Sequence, residues 1–325
     1  MKRDIVVSIS CITYNHENYI AKAIESFLAQ KTNFKFEILI HDDASTDNTQ
    51  NIIRDYHKRY PEIIKPILQK ENQYSRGVKR ISYLYNEKRA KGKYIACCEG
   101  DDYWIDEYKL QKQVDFMEKN KECSMCFHAA SIFDDKKMKV ISIQRAYDKN
   151  CIAKLEDIIM EGGDFCVTSS ILYPKKLTND LPPFYMEAHV GDYPLQMILA
   201  SKGFVYYMND NMSVYRINVK NSWTSNSIFS GNINEKFIKN NNADICLLNK
   251  FNEFTELKYS NIVNKKILKS MFNTEVIKGN LNEIRSQKYL SLYKNLNTNK
   301  KIKIYIRSYF PLVYEKLYKI KRLLK

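Results

Sequence analysis

No glycine lies between Ile12 and Asn18, the segment that follows the first apolar run of this 325-residue chain. A nicotinamide dinucleotide fold needs a glycine-rich turn there, where the backbone approaches a pyrophosphate. A sugar-phosphate nucleotidyltransferase also wants a glycine-rich, basic loop after its first strand. The Gly-Lys-Ser/Thr signature of a phosphate-loop NTPase is missing throughout. No stretch reaches the ~18 uninterrupted apolar residues of a membrane span. No signal peptide opens the chain, because Met1-Lys2-Arg3-Asp4 leads into a strand-length apolar run and then into polar residues. A protein made and kept in the cytoplasm is expected. Eight cysteines in so long a chain are not a secreted disulfide framework, and Cys11, Cys97 and Cys98 sit in apolar runs as small core residues. Cys123 and Cys126, with His128 nearby, lack the second ligand pair of a zinc site and read better as a buried strand. No nucleic-acid module accompanies the net charge of +15, so no nucleic-acid partner is expected.

What is present is an ordinary globular balance, 44% hydrophobic and 27% charged. The length suits one α/β domain plus an extension. Ile5 to Ile12 reads as a buried strand and Tyr19 to Gln30 as an amphipathic helix. Phe36 to Ile40 is a second strand, followed by a helix that Pro61 stops. Asp47 and Gln50 resemble the capping box of that helix. Ile63 to Leu68 is a weaker strand, a helix spans about Lys79 to Lys91, and a further strand runs through Lys93 to Cys98. This rhythm predicts right-handed βαβ units and a largely parallel sheet. Farther on, strands are expected over Phe165 to Leu172, Phe204 to Tyr207 and Ser213 to Arg216. A helix is expected to open at His189 to Pro194. After about residue 230 only helical periodicity remains. The division expected is therefore 1–230, a catalytic domain, and 231–325, a helical extension.

Three of these strand ends carry unusual polar residues: Thr13-Tyr14-Asn15, Asp42-Asp43 and Glu99-Gly100-Asp101-Asp102. In parallel sheets ligands sit beyond the carboxyl ends of the strands. Carboxylates gathered there are costly unless they meet positive charge. Hard oxygen ligands on a short turn suit Mg2+ or Mn2+ that also holds phosphates. A metal-assisted nucleotide-sugar site follows. Asp42 and Asp47 also fit plain turn and cap duties. Arg76, Lys79 and Arg80 either reach a diphosphate or form a solvated run. Trp104 is placed either against an acceptor or in the core.

With Gly92-Lys93-Tyr94-Ile95 and Gly191-Asp192-Tyr193, these motifs resemble, in order and spacing, the family-two inverting nucleotide-sugar glycosyltransferases of the bacterial surface-polysaccharide type. The resemblance runs from about Val6 to about Arg216. It implies the GT-A fold, a Rossmann-like α/β architecture with a mostly parallel central sheet. It also implies that Thr13, Tyr14 and Asp43 hold base and ribose, with Glu99 and Asp101 near ribose and metal; Arg80, from the basic run, is the further candidate for the nucleotide site. Asp101 and Asp102 would face the divalent metal, and Asp192 would be the general base toward a saccharide or lipid-linked acceptor. UDP is favoured because Asp43 suits a pyrimidine N–H, a demand that dTDP also meets. Two positions depart from the family: Glu99 stands where Asp is usual, and Asn218 where a histidine often completes the metal contacts. The alternatives are a catalytically decayed nucleotide-binding protein at the membrane surface, which keeps the same motifs, and a sugar-phosphate nucleotidyltransferase, which shares the architecture and metal chemistry.

Residues 300–325 carry nine Lys/Arg and one Glu, interleaved with apolar and aromatic residues. Such a tail suits an anionic membrane surface, with each basic residue contributing about 1 kcal/mol near the lipid. Peripheral attachment to the inner face of the cell membrane is the expectation, and a helix packed with its basic face in solvent is the competing one.

Overall fold

The structure is a computed structural model and describes residues 4–219 and 233–311. The chain divides into two compact units, Met1–Ile228 and Phe229–Lys325.

The first unit opens with β1 (Ile5–Thr13), α1 (Ile20–Leu28), β2 (Lys35–Asp42), α2 (Thr49–Arg59), β3 (Ile64–Leu68) and β4 (Tyr94–Cys97). β1 pairs in parallel with β2 and with β4, and β2 in parallel with β3. Val7, Ile9 and Cys11 are fully buried in β1. Ile20, Ala23, Ile24 and Phe27 of α1, spaced by one helical turn, are buried in the same core. Shape and burial hold this half together, each large apolar side chain contributing roughly 1.5–3 kcal/mol.

The second half of the unit is not parallel throughout. It contains β5 (Tyr103–Trp104), α3 (Lys109–Lys119), β6 (Cys123–Asp134), β7 (Lys139–Gln144), β8 (Cys151–Ala153), α4 (Leu155–Glu161), β9 (Leu172–Pro174), α5 (Pro183–Glu187), α6 (Asp192–Lys202) and β10 (Phe204–Ile217). The order along the sheet is β3-β2-β1-β4-β9-β6-β10-β5, with β7 on β6 and β8 on β10. β9 runs antiparallel to both β4 and β6, so it joins a parallel half to a mixed one.

Several sequence expectations change here. Phe165 to Leu172 is not a strand: short 3-10 turns occupy Gly163–Phe165 and Thr168–Ser170, leaving only β9. The Ser169 and Ser170 carbonyls explain why, since they accept from Trp104 Nε1 and Gln113 Nε2 rather than from a neighbouring strand. The two strands expected around Phe204 and Ser213 are one 14-residue strand, irregular between Met208 and Ser213. The expected helix over Lys79 to Lys91 is a π-turn at Ser82–Asn86 and a 3-10 turn at Glu87–Arg89. The Asp47–Gln50 capping box does not form. Asp47 accepts from Thr49 N (3.0 Å), and Gln50 Nε2 donates to Asp42 Oδ1 (2.6 Å) instead.

The second unit is helical over its described residues: α7 (Ile233–Phe254), α8 (Ser260–Lys278), α9 (Leu281–Ile284), α10 (Leu290–Lys294) and α11 (Thr298–Tyr309). Phe272, Leu281, Ile284, Tyr289 and Ile304 form a small core of its own. The Asn297 side chain caps α11 by accepting from Lys300 N at 2.9 Å. Among the described residues no helix is long and apolar enough to cross a membrane. Of the basic tail, residues 312–325 lie outside the described residues.

Candidate active site

The three polar strand ends meet because β2, β1 and β4 are neighbours in one parallel sheet. Thr13 pairs with Asp42 across β1 and β2, and Ser10 pairs with Cys97 across β1 and β4. Thr13, Asp43 and the acidic turn therefore lie side by side at the carboxyl edge.

The loops after β1 and β2 are locked to each other. Asn15 sits in the left-handed region (φ 56°); its Oδ1 accepts from Thr46 N at 2.8 Å and its own backbone N–H donates to Ser45 Oγ at 2.8 Å. His16 N donates to Thr49 Oγ1 (2.9 Å), and Glu17 N to Asp47 Oδ2 (3.1 Å). Asp42 is fully buried and accepts from Ser45 and Gln50. It shapes the turn, as does Asp47. Asp43 faces the other way. Its two carboxylate oxygens accept from Gln73 N (2.8 Å) and Tyr74 N (3.0 Å), while its carbonyl accepts from Asn72 Nδ2 (2.9 Å). A carboxylate offers about four acceptor positions, so two remain for a ligand. Tyr14 stays 37% exposed beside it.

The acidic turn is held close against β1. Gly100 N donates to Ile12 O at 2.9 Å, and a side chain at Gly100 would begin 2.8 Å from Thr13 Oγ1. Only glycine fits there. Asp101 Oδ2 lies 3.8 Å from His16 Nε2. Asp102 Oδ1 accepts from Arg216 N at 2.9 Å, whereas its Oδ2 is buried without a hydrogen-bond partner. Burial first, then the charges of Asp101 and Asp192, raise the Glu99 carboxyl to about 8. Burial and then the charge of Asp101 push Asp102 up as well. The cluster is short of positive charge.

Arg216 does not fully supply it. Its guanidinium donates to the Asp101 carbonyl and stacks over Tyr103 and Tyr19, with 4.6 and 5.1 Å to the ring centres. Asn218, also in the left-handed region (φ 60°), turns its amide to Asp134 Oδ1 at 3.1 Å. Among the described residues no three His, Cys, Asp or Glu side chains converge on a ready cage. Mg2+ and Mn2+ do not need one, because one or two carboxylates plus substrate phosphates commonly hold them. A buried, unpartnered Asp102 oxygen beside Asp101 fits such an ion.

Asp192 begins α6, a helix buried from Tyr193 to Ala200. Tyr193 Oη donates to Ile159 O (2.7 Å) and Gln196 Nε2 to Gly163 O and Cys166 O (3.0 Å each), which fixes the helix in register. Asp192 Oδ1 accepts from Tyr193 N at 2.8 Å, in keeping with a carboxylate at a helix N-terminus. Burial raises the Asp192 carboxyl, with the Asp164 charge adding to the rise and Arg80 opposing it. The Asp192 carboxylate lies against Gly163, where a Cβ would sit 2.9 Å from Asp192 Oδ2, and its charge is among those that raise Glu99.

Arg80 lies on the Asp192 side of the site. Its guanidinium donates to the Ala188 carbonyl and stands 5.4 Å from the Tyr185 ring centre, leaving Nε buried without a partner. Trp104 is 4% exposed and packs on Phe27, which assigns it to the core. Cys123, Cys126 and His128 are buried along β6, as their apolar run suggests. His16, and the Gln73–Tyr74 backbone that grips Asp43, carry no sequence signal, since each acts through a contact distant in the chain.

The model of glycosyl transferase family 2 matches residues 8–181. The chain belongs to this family. Among similar proteins, an uncharacterized protein of Mycobacterium tuberculosis is 34% identical over 225 residues, a match spanning 67% of this chain and 61% of that protein. TuaG of Bacillus subtilis, named as a glycosyltransferase of teichuronic acid biosynthesis, is 29% identical over 68% of this chain and 82% of its own length. Among solved structures, TarS of S. aureus in complex with UDP aligns at a TM-score of 0.58 and 14% identity, covering 94% of this chain and 81% of that one. At that identity the likeness speaks to the fold alone, and the fold is the expected GT-A architecture with helices following it.

Proposed function

We propose that this family-2 chain is an inverting glycosyltransferase. It moves a sugar from a nucleotide-diphosphate donor, UDP-linked by preference, to a hydroxyl of a saccharide or lipid-linked saccharide. The observation that carries the proposal is the meeting of Asp43 and the acidic turn at one sheet edge, with the Asp192 charge among those that raise Glu99.

In this reading the open acceptor positions of Asp43 take the pyrimidine N–H, and exposed Tyr14 lies against the base. Thr13, whose Oγ1 is buried without a partner, and Glu99 serve the ribose. Asp101 and Asp102 would hold Mn2+ or Mg2+, whose chemistry is to neutralise charge on the departing diphosphate. Asp192 takes the proton from the acceptor hydroxyl as that oxygen attacks the anomeric carbon opposite the diphosphate. One displacement inverts the centre, with no covalent enzyme intermediate. The teichuronic acid role in TuaG's name and the UDP bound to TarS support a UDP-sugar enzyme of surface-polysaccharide assembly. The tail that includes residues 312–325 belongs, in this proposal, at an anionic membrane face.

A thermal-shift panel of UDP, dTDP and GDP with and without Mn2+ tests the site. UDP with Mn2+ is expected to stabilise the protein most, by about 2.7 kcal/mol at a hundredfold excess over Kd. Asp102→Asn should lose the Mn2+-dependent part. No response to any nucleotide would remove the basis of the proposal.

A further inference from the structure

One loop touches both halves of the site. At its start, Asn72, Gln73 and Tyr74 wrap Asp43 with three hydrogen bonds of 2.8–3.0 Å. Its middle is a compact turn: Arg76 N and Val78 N donate to Gln73 O, and Gly77 N donates to Tyr74 O. Its end grips the segment that leads into Asp192, because Lys79 Nζ donates to Glu187 O at 2.8 Å and the Arg80 guanidinium donates to Ala188 O. Arg80 adopts a left-handed backbone (φ 56°), unusual for a long side chain, and this turns the guanidinium toward residues 185–191. The passage it enters is lined by Gly191, where a Cβ would lie 2.7 Å from Arg80 Nη1. Any larger residue at 191 would displace the cation. Leu84 N donates to Arg80 O at 2.9 Å, anchoring the loop's far end to the π-turn.

We infer that Arg80 is the positioning residue for the Asp192 carboxylate, and that the loop 72–80 couples occupancy of the nucleotide site to the placement of that base. The inference rests on the assignment of Asp192 as base and differs from the sequence expectation of Arg80 as a nucleotide contact. Physically, a nucleotide settling on Asp43 stiffens residues 72–74. The short turn passes that order to Lys79 and Arg80, and these hold residues 187–191 in one register. Among the described residues, Asp164 raises the Asp192 carboxyl and Arg80 opposes that rise, while the Asp192 charge acts in turn on Glu99 and Cys166.

Two variants and two readouts test the coupling. Amide hydrogen exchange over residues 185–192 needs no turnover. Arg80→Gln is expected to speed exchange there in the free protein. UDP with Mn2+ should slow exchange there in the wild type and fail to do so in the variant, while protection over residues 72–75 persists in both. In steady state, Arg80→Gln should lower kcat roughly a hundredfold, as expected for a misplaced base, with the Kd for UDP within about twofold. The acidic limb of its pH profile should move upward, because the cation that favours the Asp192 carboxylate is gone. Arg80→Lys keeps the charge but loses the planar fork, so the pH limb should stay in place while kcat remains low. A tenfold loss of UDP affinity with unchanged exchange at 185–192 would make Arg80 a nucleotide contact and overturn the inference. Unchanged exchange with unchanged kcat would also overturn it. If the wild type releases UDP from no sugar donor, the proposed function fails, and the exchange experiment still decides the role of Arg80.

Discussion

Individual residues divide into those holding the loops and those left for a ligand, and spacing alone did not separate them. Asp42 and Asp43 are adjacent in sequence, yet Asp42 is consumed by Ser45 and Gln50 while the Asp43 carboxylate accepts from the Gln73 and Tyr74 backbone and keeps acceptor capacity. Asn218 stands where a metal ligand was sought and spends its amide on Asp134. Lys109 shows what charge burial does beneath the site. It is fully buried, donates to Gln113 Oε1 at 2.8 Å and lies 4.2 Å from the Trp104 ring centre. Burial lowers it from 10.5 to about 8. The unfolded chain therefore binds this proton more tightly than the folded one. The stability Lys109 contributes is complete above pH 10.5 and is lost as pH falls through about 8. Thermal unfolding of wild type and Lys109→Met across that window should show the wild type gaining on the variant as pH rises, by up to ~3 kcal/mol. A constant difference would mean that Lys109 is not buried as a cation.

At the scale of elements, the parallel half was legible and the mixed half was not. β1, β2 and β4 are apolar runs with polar ends, and their order follows from right-handed crossovers. β9 could not be read from its sequence. Its antiparallel place between β4 and β6 depends on side chains of α3 and Trp104 that take the carbonyls just before it. The long β10 looked like two strands because its middle residues, Asn209 to Met212, break the alternation where the register shifts. A tight junction within the site is Gly100 against Thr13, where a Cβ would lie 2.8 Å from Thr13 Oγ1. Gly100→Ala should move the acidic turn off β1, costing about 1–3 kcal/mol by overpacking and weakening Mn2+-dependent UDP binding. Calorimetric unfolding together with UDP titration would measure both, and an alanine variant of wild-type stability and affinity would contradict the packing described.

Over the whole molecule, composition foretold a helical second unit but not its own core. Ile304 is buried among Phe272, Leu281, Ile284 and Tyr289, so α11 belongs to that core even though its sequence reads as basic and amphipathic. The test of the tail should therefore cut after residue 311 and leave α11 intact. The full chain is expected to bind vesicles containing anionic lipid more tightly than the 1–311 form, and the difference should shrink at high salt. Equal sedimentation of both forms with vesicles would remove the membrane role proposed for residues 312–325. The central claim joins the two ends of the site, a carboxylate that takes a proton and an acidic turn that answers the diphosphate. Its most direct measurement is UDP release from a panel of UDP-sugars with Mn2+ and a saccharide acceptor, comparing wild type with Asp192→Asn. The account predicts that the variant binds UDP as the wild type does but transfers roughly a hundred to ten thousand times more slowly. Transfer by Asp192→Asn at the wild-type rate would contradict it.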